Sequence, residues 1–265
     1  MLFIGERING MFKGVRKAIQ ERDKKAIQEL AHEQMEHGAA CLDVNVGPAA
    51  ADAREAMEWL VMTIQEAGEF PLAIDSPKPE VLEAGLRLCR AKPMINSTTA
   101  DPGKMEVLLA LAKKYGASVI GLCMDAKGVP ADVDGRVELA ATIFATAVQE
   151  HGLPPGDVYL DPLILPVNVT QDTPWKVLES IKTIRSLDEP PPHVIIGLSN
   201  VSQKCSNREL INRTYLAMAM GAGLDAVICD VLDRDLVNTA VTARILLNRD
   251  IYCDSFLEAY RSCAK

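Results

Sequence analysis

The sequence predicts an α/β fold of the (β/α)8, or TIM-barrel, class: a closed parallel barrel in one domain spanning residues 1–265. Three observations carry the prediction. Short β-branched runs alternate strictly with long amphipathic stretches, there are eight of each, and together they fill about 250 residues, the usual size of that barrel. The first strand-like run, 3–8, is followed by a helical stretch over 16–38 that Gly38 stops. Next come a run at 41–46 with a helix over 52–67, and a run at 72–75 with a helix over 79–89. The run at 93–97 leads to Asp101-Pro102, which puts proline in the first turn of a helix over 103–116 that ends at Gly116. The run at 118–124 precedes a helix over 134–151, where Val137, Ala140, Ala141, Phe144, Ala145 and Val148 form an apolar stripe and Gly152 is the stop. The run at 158–162 leads through Thr173-Pro174 into a helix over 174–187. The last two pairs are 194–199 with 209–221, and 226–230 with 234–248.

A doubly wound open sheet competes with the barrel, and it would place a glycine-rich phosphate turn after its first strand. That turn reads Glu6-Arg7-Ile8-Asn9-Gly10-Met11, without GxGxxG. The string Gly221-Ala222-Gly223-Leu224-Asp225-Ala226 follows a helix and precedes a strand, the reverse of a dinucleotide fingerprint, and reads as a helix stop.

Composition removes several classes of function. Lys plus Arg number 28 against 36 Asp plus Glu, a net charge of −8, so nucleic acid and anionic membranes are poor partners. No apolar run approaches a bilayer span, and Met1-Leu-Phe-Ile-Gly-Glu-Arg has no leader pattern, so the expected location is cytoplasmic. The seven cysteines (41, 89, 123, 205, 229, 253 and 263) contain no CxxC pair, which argues against disulfide, zinc-ribbon and iron–sulfur frameworks. His32 and His37 lie one residue too far apart for a zincin motif; five steps of about 100° leave them roughly 140° apart around a helix.

The chemistry of such a barrel sits at the C-terminal ends of its strands. Here those ends carry Glu6, Arg7 and Asn9; Asp43 and Asn45; Asp75-Ser76; Asn96-Ser97-Thr98; Asp161; Ser199-Asn200; and Asp230. Singly, each is as readily a helix cap or turn residue. Seven of the eight strand ends share the feature, which predicts a polar mouth. None of these ends offers a lysine for a Schiff base, a histidine for a metal or a serine in a GxSxG elbow. The carboxylates could hold Mg²⁺, but an enolising barrel normally adds a Lys or His base, which these ends lack. Asp and Asn together present acceptors and donors in fixed planes, as a flat heterocycle with an amidine edge and a carbonyl requires.

These same segments carry a resemblance. GERING at 5–10, LDVNVGP at 42–48, Asp75-Ser76, INST at 95–98, YLDPLILPVNV at 159–169 and GLSNVSQ at 197–203 occur in the order found in methyltetrahydrofolate:corrinoid protein methyltransferases. That family is related to the folate domain of cobalamin-dependent methionine synthase. The likeness runs from residue 2 to about residue 257, and each motif alone is weak. The resemblance implies a barrel, usually a homodimer, that carries no metal itself, binds 5-methyltetrahydrofolate or tetrahydrofolate as substrate and exchanges the methyl group with a corrinoid (cobalamin) on a separate protein. It implies that Asp75, Asn96 and Asp161 bind the pterin edge, that Gly197 and Ser199 let the backbone approach the ring, and that Gln203 and Arg208 meet the glutamate tail. Asn200 is implied at the methyl-bearing nitrogen, with Asp43 in the catalytic network and Glu6, Asn9 and Asn45 in support. Ser-Pro-Lys-Pro at 76–79 departs from the Ser-Thr-Asn expected of the carbonyl-pathway enzymes, which bears on the identity of the partner. No DxHxxG cobalamin loop is present, so the corrinoid is expected on a separate protein, which docks transiently because it must also visit another methyl donor or acceptor. Another pterin barrel such as dihydropteroate synthase is the alternative, but Asn9-Gly10-Met11-Phe12 lacks that enzyme's Asn-x-Thr-x-Asp-Ser-Phe loop. A non-catalytic folate-binding or scaffold protein, or a magnesium-dependent enolising barrel, is the other.

Overall fold

A computed structural model describes residues 1–252; Cys253, Cys263 and the end of the expected domain lie outside them. The strands are β1 (Leu2–Asn9), β2 (Cys41–Asn45), β3 (Leu72–Asp75), β4 (Met94–Thr99), β5 (Ser118–Leu122), β6 (Val158–Asp161), β7 (His193–Gly197) and β8 (Ala226–Cys229). All are parallel and pair in sequence order, β8 closing on β1, so the predicted barrel is the observed one. The helices are α1 (Lys13–Glu21), α2 (Lys24–Glu36), α3 (Ala53–Ala67), α4 (Pro79–Leu86), α5 (Pro102–Tyr115), α6 (Val133–Ala145), α7 (Thr173–Ile184), α8 (Arg208–Ala222) and α9 (Arg234–Leu246).

The punctuation works largely as expected. Gly116 and Gly223 take left-handed C-cap conformations after α5 and α8, and Asp101 caps α5 by accepting the Lys104 N–H, with Pro102 in the first turn. No helix among the described residues is long and apolar enough to cross a membrane. His32 and His37 do part company: His32 packs edge-on against Phe70, and the His37 ring bonds the Glu33 carbonyl.

Two helices differ from expectation. The stretch 16–38 is two helices, because Arg22 turns left-handed (φ 56°) and Asp23 starts α2 by accepting the Ala26 N–H. The break carries neither glycine nor proline, so only the Asp23 cap announces it. The stretch 134–151 ends in a π turn, Thr146–Glu150. Its buried face is Arg136, Ala140, Ile143, Phe144 and Ala147, rotated from the expected stripe. Val137 and Ala141 are only partly buried, displaced by a buried arginine.

Two apolar layers follow from strand alternation. Ile8, Leu42, Ile74, Ile95, Val119 and Leu160 point outward and pack with the helices. Ile4, Cys41, Ala73, Met94, Ile120, Ile195 and Ala226 fill the barrel interior, with Leu2, Leu122, Tyr159 and Ile228 against them. Each large aliphatic side chain buried this way contributes about 1.5–3 kcal/mol. Counting on by two from the interior layer reaches Glu6, Asp43, Asp75, Asn96, Asp161 and Gly197, which therefore stand over the core at the C-terminal mouth.

Candidate active site

Strand register builds the mouth. Asn9 pairs with Asn45, Asn45 with Asp75, and Asp75 with Asn96, so four adjacent strands carry one row of amides and acids across the mouth. Glu6 and Asn9, three apart, both belong to the mouth because β1 bulges between Gly5 and Ile8. The bulge frees the Arg7 N–H, which the buried Gln34 side chain of α2 takes up at 2.9 Å. A side chain at Gly5 would collide with that same glutamine, its Cβ lying 2.5 Å from Oε1.

The row is internally paired. Asn45 Nδ2 donates to Asp75 Oδ2 at 2.6 Å, while its Oδ1 accepts the Gly47 N–H. Asn96 Nδ2 donates to Asp43 Oδ1 at 2.9 Å. Asp161 is buried at the end of β6; its Oδ1 accepts the Leu163 N–H at 2.7 Å, and the Gly197 N–H also bonds the carboxyl. Across the mouth Ser199 Oγ donates to Glu6 Oε1 at 2.7 Å. Asn9 Oδ1 accepts the Met11 N–H, folding the β1–α1 loop over the rim.

Burial raises the pKa of these carboxyls. Desolvation pushes Asp161 up to about 7, against the hydrogen bonds from Leu163 and Gly197. Asp43 is pushed well above the usual carboxylate range by burial and then by the neighbouring Asp75. Asp75 is raised by burial, opposed by Asn45, and Glu6 by burial, opposed by Ser199. The mouth thus holds a cluster of acids that cannot all ionise cheaply without a donor-rich ligand.

Two cavities open there. A cleft of about 690 Å³ is lined by Glu6, Asn9, Ser199, Asn200, Gln203 and Arg208, among others. A second, of about 430 Å³, is lined by Asn45, Asp75, Ser76 and Lys78. Met11 borders both. Sequence reasoning missed Asn212, which lines the larger cleft and keeps a buried Oδ1 with no partner among the described residues. It sits in the second turn of α8, away from any strand end, so only its place in the fold marks it.

Asn200 ends a 3-10 turn after β7, Leu198–Asn200. Its amide is exposed and makes no side-chain hydrogen bond among the described residues. A Cβ at Gly197 would stand 3.1 Å from Asn200 Nδ2, so the glycine leaves room for the amide to lie over the strand end. Arg208 donates to the Ser199 carbonyl and to Ser202 Oγ while lining the cleft. Asp43 and Asn200 are not bonded to each other; Asp43 is tied to Asn96, and Asn200 faces the larger cleft.

The family model described as pterin binding enzyme matches residues 13–230. A methylcorrinoid:tetrahydrofolate methyltransferase of Eubacterium limosum is 33% identical over 263 residues, covering 98% of this chain and 96% of that protein. The methionine synthase of Mycobacterium tuberculosis is 28% identical over 239 residues, covering 86% of this chain but 20% of that longer protein. Among solved structures, dihydropteroate synthase from Thermus thermophilus superposes with a TM-score of 0.64 at 18% identity, covering 95% of this chain and 94% of that one. At that identity the likeness establishes the fold.

Proposed function

Because the chain belongs to the pterin-binding enzyme family, we propose that it is a methyltransferase moving a methyl group between 5-methyltetrahydrofolate or tetrahydrofolate and the cobalt of a corrinoid on a separate protein. The observation that carries this reading is the paired row of Asn45 with Asp75 and Asn96 with Asp43, facing Asp161 within one mouth. Carboxylates at Asp75 and Asp161 accept from the amidine edge of a pterin, and Asn96 bonds its carbonyl side. Gly197 and Ser199 let the ring approach the backbone, and Gln203 and Arg208 line the larger cleft, where the glutamate tail runs.

The chemical difficulty is a poor leaving group. A tertiary amine cannot depart as an amide anion, so a hydrogen bond must strengthen on that nitrogen as the methyl leaves. Asn200, whose side-chain amide makes no bond among the described residues, donates it. An amide cannot supply a proton, so Asp43, whose carboxyl burial and then the neighbouring Asp75 shift toward its protonated form, delivers it through the Asn96 side of the mouth and water. Glu6 supports the Asn200 turn through Ser199, and Asn9 and Asn45 hold the rim. Both directions of transfer share one transition state, so the same residues serve each.

The whole chain, residues 1–265, forms the catalytic unit in this reading, and it works in the cytoplasm as a homodimer visited transiently by its corrinoid protein. The dimer reading is supported by apolar side chains exposed on α8 and α9, Leu210, Met218 and Leu246. The test is spectroscopic. Mixing the protein with 5-methyltetrahydrofolate and free Co(I) cobalamin should produce methylcobalt absorbance, and methylcobalamin with tetrahydrofolate should lose it. No change in either direction refutes the activity. Sedimentation at a single-chain mass would refute the dimer.

A further inference from the structure

One buried charge lies outside the mouth. Arg136 sits near the start of α6, away from the barrel interior, and only 1% of it reaches solvent. A guanidinium carries five N–H donors and keeps its charge, so burying it demands acceptors. No carboxylate among the described residues bonds it. Its Nη1 donates to the carbonyls of Pro162 and, at 2.8 Å, of Leu163, and its Nε is buried without a partner among the described residues. Those carbonyls belong to the first two residues after β6. Leu163 is left-handed (φ 61°), a backbone a leucine rarely adopts unless its surroundings impose it. In that conformation its N–H is the one that binds Asp161 Oδ1.

We propose that Arg136 is a positioning residue for the folate pocket: by gripping the Pro162 and Leu163 carbonyls it locks the turn that orients Asp161. This rests on the reading that Asp161 binds the pterin. The contacts form one chain, Arg136 to the Leu163 carbonyl and the Leu163 N–H to Asp161, so a loosened turn withdraws a donor from the carboxylate. Charge acts in the same sense. The groups facing Asp161 are Arg136 from α6, Cys123 after β5 and Tyr215 from α8. Burial raises the cysteine and the tyrosine, which leaves them neutral, so the guanidinium is the charge that favours an ionised Asp161. Asp132 and Asp172 also face Arg136. They are committed elsewhere, to the Gly135 N–H and to Lys176.

The experiment compares full-length wild type, Arg136→Met and Arg136→Lys. Tetrahydrofolate affinity is measured by calorimetry between about pH 6 and 9, and the Asp161 carboxyl carbon is titrated by NMR without ligand. Arg136→Met should bind about 10–100-fold more weakly at neutral pH, by analogy with losing an outer-shell partner. Its Asp161 should ionise at higher pH, carrying the acid limit of binding upward with it. Arg136→Lys keeps the charge, but its stem is one atom shorter and its ammonium falls short of the point where Nη1 meets both carbonyls, so it should keep the wild-type titration and bind a few-fold more weakly. A folded Arg136→Met with wild-type affinity, or with Asp161 titrating as in wild type, overturns the proposal. Should that variant not fold, wild-type affinity in Arg136→Lys overturns it, and a few-fold loss with an unaltered titration supports it. Wild-type protein that binds no folate would defeat the pocket reading instead, and the NMR titration would still judge Arg136.

Discussion

Asn96 Nδ2 reaches Asp43 Oδ1 at 2.9 Å even though β3 runs between their strands, and Ala73 is the residue it crosses. Ala73 pairs in register with Asp43 on one side and Met94 on the other, so Asn96, two residues past Met94, spans the gap diagonally over a methyl group. The bond is the donor that the Asp43 carboxyl has in the mouth. Asn96→Ala should therefore cost about 1–3 kcal/mol of stability by leaving a buried acceptor unpaired. Ala73→Leu, which wedges the pair apart, should cost a similar amount through overpacking. Urea unfolding midpoints within error of wild type for both would show that the bridge contributes nothing.

Asn200 should separate chemistry from binding. Its amide makes no bond within the described residues, so removing it breaks nothing in the folded protein. Asn200→Ala should lower methyl transfer by about two to three orders of magnitude, the usual loss for one transition-state donor, and change tetrahydrofolate affinity much less. Rapid-mixing kinetics alongside calorimetry measures both. A rate within a factor of two of wild type removes Asn200 from the reaction.

Asp161 should set stability against function. Its carboxyl is pushed by burial up to about 7, above its value in the unfolded chain, so between about pH 4 and 7 the native state holds a proton that the unfolded state has lost. Stability from this group is complete below about pH 4 and declines as pH rises through 7, by an amount on the order of 4 kcal/mol. Asp161→Asn removes the titration. The variant should gain on wild type as pH rises through that window, while binding folate at least tenfold more weakly because an amide presents a donor where an acceptor is wanted. Unfolding free energies at pH 5 and 8, in ligand-free protein, test the first half; a constant difference between the two proteins would refute it.

Alternation made much of this site legible beforehand. The same period of two that buries Ile4, Cys41 and Ala73 inside the barrel puts Glu6, Asp43 and Asp75 at its mouth, and a linear sequence displays that period directly. Pairing inside the mouth was not legible, because Asn96 meets Asp43 through barrel stagger, a property of closure and of no single segment. The bulge in β1 that brings Asn9 alongside Glu6 depends on Gln34, a residue from another element. The α1–α2 break rests on Arg22, which carries no breaker signal. Arg136 is equally silent in the sequence, since nothing local announces that the carbonyls of Pro162 and Leu163 lie within its reach.

Two glycines in these motifs should fail in different ways. A Cβ on Gly10 would stand 1.9 Å from the Val46 carbonyl oxygen, and backbone cannot move aside as a side chain can. That close approach lets the Gly10 N–H bond the Asn45 carbonyl at 2.8 Å, joining the loops that follow β1 and β2. Gly10→Ala should therefore cost more than about 4 kcal/mol, or abolish soluble protein. The Gly197 Cβ would instead meet the Asn200 amide at 3.1 Å, the movable end of a side chain. Gly197→Ala should fold with a stability change under about 1 kcal/mol, yet lose about tenfold in methyl transfer as the amide is pushed off its place. Thermal unfolding and turnover on the two variants separate the cases. If Gly197→Ala kept full activity, the glycine would be making room for something other than Asn200.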